Sequence, residues 1–202
     1  MTSAKFIAFE GLEGCGKSTH VKRLATTLNG VATREPGGTT IGAALRATMI
    51  DTSNTGLSPR AEALMMAADR AQHLDELVKP ELAAGRHVVT DRSVYSSLAY
   101  QGYGRMLDID ELRRFNNWAI GGCWPDLVVF IDVPLDVLFE RLKKRELDRF
   151  EREDRTFFER VLTGYQTMAA ADPERWLIID GMPPKDELAP IIARLVGERL
   201  SL

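Results

Sequence analysis

Cysteine is scarce in this chain: Cys15 and Cys123 are the only two in 202 residues, and their spacing matches no metal site. That excludes a disulfide framework and a zinc centre, and it leads us to expect a reduced, cytoplasmic protein. The three histidines, His20, His73 and His87, are scattered without metal or triad spacing. No apolar run approaches the ~18 residues of a membrane span. The N-terminus enters its first apolar run without the basic and apolar regions of a signal peptide, so no membrane partner is expected. Neither sign of charge dominates, with 26 basic against 29 acidic residues and a net charge of -3. That balance argues against a nucleic-acid partner, although a local basic pocket can still hold phosphate. Repeats, low-complexity tracts and linkers are also missing, so residues 1–202 read as one domain.

Apolar runs are present instead. Phe6 to Phe9, His87 to Thr90, Leu127 to Ile131 and Trp176 to Ile179 lack polar alternation, as parallel strands covered on both faces do. A shorter strand is expected at Val31-Ala32-Thr33, and helical patterns lie between the runs. The predicted fold class is α/β, a parallel sheet with helices on both faces. In such sheets ligands gather at the carboxyl ends of the strands.

The residues after the first run bear this out. Gly11-Leu12-Glu13-Gly14-Cys15-Gly16-Lys17-Ser18 fits G-x-x-x-x-G-K-[ST], the phosphate-binding loop of nucleoside triphosphatases and kinases, and Thr19 follows it. Glycines let backbone N–H groups turn inward around a polyphosphate, and the helix opening at Lys17 points its positive end at the anion. Lys17 would reach the terminal phosphates and the Ser18 hydroxyl would ligate Mg²⁺. Asp91-Arg92 directly follows another apolar run. Asp91 suits a Mg²⁺ ligand or a helix cap, and Arg92 can fork onto a second phosphate group.

Further segments appear in order: Arg34-Glu35-Pro36-Gly37-Gly38-Thr39, Asp69-Arg70-Ala71-Gln72, Asp91-Arg92-Ser93 and Ala99-Tyr100-Gln101-Gly102. With the phosphate loop, this set closely resembles the thymidylate kinase family, over nearly the whole chain. The resemblance implies transfer of a phosphoryl group from ATP to dTMP, with Mg²⁺, in a P-loop fold with a mobile lid at about 140–155. It also implies a homodimer built from helices packed side by side, to which the helix 110–120 with Phe115 and Trp118 could contribute.

Residue by residue, the resemblance implies that Arg46 and Arg92 hold the dTMP phosphate and that Arg70 reads the thymine edge. Tyr100 and Gln101 would lie against the deoxyribose, and Glu13 would meet its 3′-hydroxyl. Ser97 stands where the family usually has Thr or Asn near the base. Met66 stands where an aromatic residue often stacks on thymine; a thioether can also cover a ring face, and a core methionine is the other reading. Glu140 to Arg155 holds thirteen charged residues in sixteen. It reads either as a solvated helix or as the family's lid. The phosphate loop has no arginine, so the resemblance is to the bacterial type whose lid supplies one. Arg149 fits that motif best, with Lys144 and Arg145 as the other candidates. Lys17, Arg92, Arg149 and Arg145 form the expected catalytic set. The alternatives are a deoxynucleoside kinase, in which Glu35 or Asp91 would serve as base, another nucleoside monophosphate kinase, and a regulatory nucleotide-binding module.

Overall fold

The computed structural model describes residues 3–143 and 146–202. Five parallel strands form one sheet in the order β2-β3-β1-β4-β5. They are β1 (Phe6–Glu10), β2 (Val31–Arg34), β3 (Val88–Asp91), β4 (Leu127–Asp132) and β5 (Trp176–Asp180). All five match the expected runs to within one or two residues at their ends. β1 and the first five residues of β4 are buried along their length, so neither carries polar alternation.

Helices connect the strands: α1 (Lys17–Thr27), α2 (Thr40–Ile50), α3 (Pro59–His73), α4 (Lys79–Ala83), α5 (Val94–Ser97), α6 (Ile109–Ile120), α7 (Leu135–Leu142), α8 (Arg155–Ala171) and α9 (Lys185–Leu200). Polar residues at their starts satisfy the free N–H groups. Thr39 accepts from Gly42 N, Asp108 from Glu111 N and Asp154 from Phe157 N. α3 runs directly into a π-helical turn, Leu74–Val78, and a second π-helical stretch spans Leu98–Gly104. π segments cluster at functional sites, and the second carries Tyr100 and Gln101. Residues 140–155 are not one helix: α7 ends at Leu142, residues 149–152 make turns, and α8 starts at Arg155. No described helix is long and apolar enough to cross a membrane.

Register sets the site. Phe9 pairs with Asp91, and Asp91 with Arg34, so the strand ends of β1, β3 and β2 stand level. From β1 the chain passes β3 to reach β2; from β3 it returns past β1 to β4. The connections from the neighbouring strands β1 and β4 leave in opposite directions, toward β2 and β5, and a crevice opens at their carboxyl ends.

Candidate active site

The loop 11–16 fills that crevice. Gly11 has φ 141°, and a Cβ there would stand 2.7 Å from the carbonyl oxygen of Ile131. Only glycine fits this passage. Gly16 caps α1 in the left-handed region, and Thr19 N donates to its carbonyl. Lys17 is buried and bends over its own loop, donating to Gly11 O at 3.0 Å and Leu12 O at 2.9 Å. Leu12 and Cys15 face the core, which explains why an apolar residue and a small one stand there. Gly14 O accepts from Nη1 of Arg141 at 3.0 Å, so an arginine of α7 that was not singled out from the sequence touches the loop.

Ser18 Oγ donates to a carboxylate oxygen of Asp91. This brings together the two oxygens expected to hold Mg²⁺. Among the described residues no group of three or more His, Cys, Asp or Glu side chains could cage a metal. A hydroxyl beside a carboxylate next to a phosphate loop fits a hard cation that keeps water and phosphate oxygens in its remaining positions, as Mg²⁺ does.

Arg92 lies next to this pair. Its backbone has φ 73°, a region costly for a side chain with a Cβ. Arg92 N donates to Phe9 O at 2.9 Å and Thr90 Oγ1 donates to Arg92 O at 2.9 Å, which holds that conformation. The guanidinium donates to Glu13 Oε1 at 2.8 Å, Tyr100 OH at 3.0 Å, Ser96 Oγ at 2.9 Å and Tyr165 OH at 3.2 Å. It also lies 4.8 Å over the Tyr100 ring. Burial works against its charge, but Tyr100, Glu13, Tyr165 and Glu10 keep it protonated. Burial likewise pushes Glu13 up; Arg92, Lys17 and Arg46 outweigh it and hold the carboxyl well below the carboxylate range. Burial lifts Tyr100 to about 12, so it stays a neutral phenol.

Under Arg92 sits a residue not singled out from the sequence. Glu10, the last residue of β1, is wholly buried and accepts from Ser93 N, Ser93 Oγ, Ser96 Oγ and Tyr165 OH at 2.6–2.8 Å. Burial raises its pKa, against the pull of Arg92. Its glutamate identity inside an apolar run was the available signal, since an unpaired carboxylate is rarely buried.

Glu13, Arg46 and Arg92 form the shared wall of two spaces. The outer one, over Ser18 and Asp91, also takes in Arg34 and the turn Gly37-Gly38. The inner one, about 480 Å³ and open to solvent, is lined by Met66, Arg70, Ser97, Tyr100, Gln101 and Phe150, among others. Every residue expected to hold the acceptor therefore faces one pocket. Met66 is half-buried there.

Arg70 is 2% exposed, so its charge is held inside the protein. Its Nε donates to Glu35 Oε2 at 2.7 Å, Nη1 to Asn116 Oδ1 at 2.5 Å and Ser97 Oγ at 3.1 Å, and Nη2 to Ser93 O at 3.1 Å. Ser97, short as it is, reaches the arginine and helps to orient it. Glu35 also meets His73 Nδ1 at 2.9 Å, and His73 Nε2 meets Thr33 Oγ1 at 2.7 Å. His73, given no role from sequence, thus braces the turn. Gly37 has φ 98° and donates its N–H to Asp69 Oδ1 at 2.8 Å; a Cβ there would press on Arg46. Arg46 Nη1 donates to Pro36 O at 3.3 Å.

Arg149 pairs with Glu62 at 2.6 Å. Arg145 and Lys144 lie outside the described residues.

Comparison with known proteins agrees with this geometry. The family model described as Thymidylate kinase matches residues 9–192. The chain is 45% identical over 195 residues to "Thymidylate kinase" of Desulfovibrio desulfuricans, covering 90% of each chain. It is 42% identical over 209 residues to the protein of that name from Nitratidesulfovibrio vulgaris, covering 97% of each. To that from Geobacter sulfurreducens it is 41% identical over 207 residues, covering 96% of this chain and 97% of the other. A match that runs from the first strand to the last helix, and takes in both walls of the cleft, places the chain in the thymidylate kinase family.

Proposed function

We propose that the chain catalyses ATP + dTMP → ADP + dTDP by in-line phosphoryl transfer. Family membership supports the reaction. The observation that carries its assignment to these residues is the shared wall: two arginines, Arg46 and Arg92, line both the phosphate-loop cleft and the inner pocket of Met66, Arg70 and Tyr100. An acceptor phosphate there would meet both cations, which offset its charge and aim an oxygen at the donor. That oxygen is already anionic, so no strong base is needed, and the structure favours this over a nucleoside kinase. Lys17 and the loop N–H groups would hold the ATP phosphates. Mg²⁺ on Ser18 and Asp91 would neutralise phosphate charge. Lid cations, Arg145 among them, would balance charge in transit, whereas Arg149, paired with Glu62, stands on the acceptor side.

Inside the pocket, Arg70 would read the base, Met66 would cover its face, Ser97 would hold Arg70, and Tyr100 and Gln101 would line the sugar. Glu13 would meet the 3′-hydroxyl. A cytoplasmic homodimer completes the proposal. Ile41, Leu64 and Trp118 are exposed on α2, α3 and α6, and α3 packs against both other helices. Sedimentation should give twice the mass of 22.5 kDa.

The deciding assay is ADP release with ATP, Mg²⁺ and one acceptor at a time: dTMP, dUMP, UMP, AMP, GMP, CMP or thymidine. Strong preference for dTMP over UMP is expected. Activity on thymidine alone would make the protein a nucleoside kinase, and silence on every acceptor would leave a nucleotide-binding module.

A further inference from the structure

The lid segment Asp148-Arg149-Phe150 is fastened to the acceptor side of the cleft. Arg149 donates its backbone N–H to Ile50 O at 3.1 Å and its Nε to Met49 O at 2.6 Å. Those carbonyls close α2, where a helix leaves C=O groups unpaired and carries its negative pole. Nη2 of the same guanidinium donates to Glu62 Oε2 at 2.6 Å, and the group lies 4.5 Å over the Phe150 ring. Glu62 is wholly buried near the start of α3. It also accepts from Gln101 Nε2 at 2.8 Å and from Arg105 Nη2 at 3.2 Å. Gln101, Asp148 and Phe150 all line the inner pocket, and the Phe150 ring stands edge-on to Tyr100 at 6.3 Å. One buried carboxylate thus touches the pocket wall and the lid together.

We propose that Glu62 and Arg149 form a pin that docks the lid on the acceptor pocket, making Asp148 and Phe150 part of the acceptor's binding wall. Arg149 is then a positioning residue for acceptor binding, and the charge needed in transfer comes from other lid cations. This rests on reading the inner pocket as the acceptor site. If Arg149 swung to the transferring phosphoryl, the last carbonyls of α2 would lose their donor and the wholly buried Glu62 would lose its shortest charged contact, keeping only Gln101 and the longer pair with Arg105. Such groups hold a donor firmly because their desolvation is otherwise uncompensated.

Two measurements test the pin on the full chain: dTMP affinity by calorimetry without ATP, and steady-state kinetics with each substrate varied. In Arg149→Gln and Glu62→Gln, Kd and KM for dTMP should rise at least about tenfold, the loss of one charge-assisted hydrogen bond. KM for ATP, and kcat at saturating dTMP, should stay within about twofold. Phe150→Ala should weaken dTMP in the same way. Arg149→Lys, which keeps the charge but not the fork, should recover only part of the affinity. Arg149→Gln lies at the lid and carries the test even if Glu62→Gln fails to fold. Unchanged dTMP affinity with a fall in kcat would overturn the pin and return Arg149 to the transfer step. A wild-type chain that binds no dTMP would instead overturn the reading of the pocket, and the pin with it.

Discussion

Arg92 reaches across the cleft to Glu13, Nη2 to Oε1 at 2.8 Å, and so joins the end of β3 to the loop after β1. The pair holds a guanidinium at the boundary of the two pockets. Arg92→Ala should lower kcat/KM for dTMP by about 10²–10³-fold, the scale of losing one aligned charge donor. ATP affinity, measured by equilibrium titration, should stay within about threefold. An equal loss of ATP binding would remove Arg92 from the acceptor side.

The Ser18–Asp91 contact makes a prediction about metal demand. Asp91→Asn and Ser18→Ala should each raise the Mg²⁺ concentration for half-maximal activity at least about tenfold, since a hard cation loses an oxygen ligand or its orienting partner. A magnesium titration at fixed ATP reads this. An unchanged midpoint would place the metal elsewhere.

Glu35 ties stability to pH. Burial raises its carboxyl, but Arg70 and His73 outweigh burial and hold it below its ordinary value of 4.5. The fold therefore favours the ionised form. Its contribution is complete above about 4.5 and is lost as pH falls through the depressed folded value. Glu35→Gln strands Arg70 and should cost about 3–5 kcal/mol at pH 7. Denaturant melts at pH 7 and pH 4 should show the difference from wild type shrinking at the lower pH. A constant difference would mean that Glu35 acts by packing, not by charge.

Met66 offers a gain. Met66→Phe places a flat ring on the pocket wall, where stacking contributes about 0.5–1.5 kcal/mol beyond area. KM for dTMP should fall about two- to fivefold with kcat unchanged. A rise would mean that the ring does not fit beside Ile50 and Arg70.

The sheet was legible because its strands are buried on both faces and read as unbroken apolar runs. The loop was legible because its residue types and spacing suit a phosphate; that Arg46, Met66, Arg70, Ser97, Tyr100 and Gln101 line one pocket was legible only through the family resemblance of their segments. Supporting residues were not. Glu10, Glu62 and His73 act through contacts 38 to 155 residues distant in sequence, such as Glu10 with Tyr165 and Glu62 with Arg149, and no local pattern marks such pairs. The stretch 140–155 was legible as a run of charge, read as a solvated helix or a lid. Its docking on α2 was not, because that depends on where two helix ends meet in space.

Of the three tryptophans, Trp118 is 84% exposed on α6 whereas Trp176 is 3% exposed in the core. The chain therefore carries its own optical label. A dissolved quencher such as iodide should strip the red-shifted emission of Trp118 and spare that of Trp176. If copies pair over α6, the quenchable share of the light falls as protein concentration rises, and association can be followed without any attached dye.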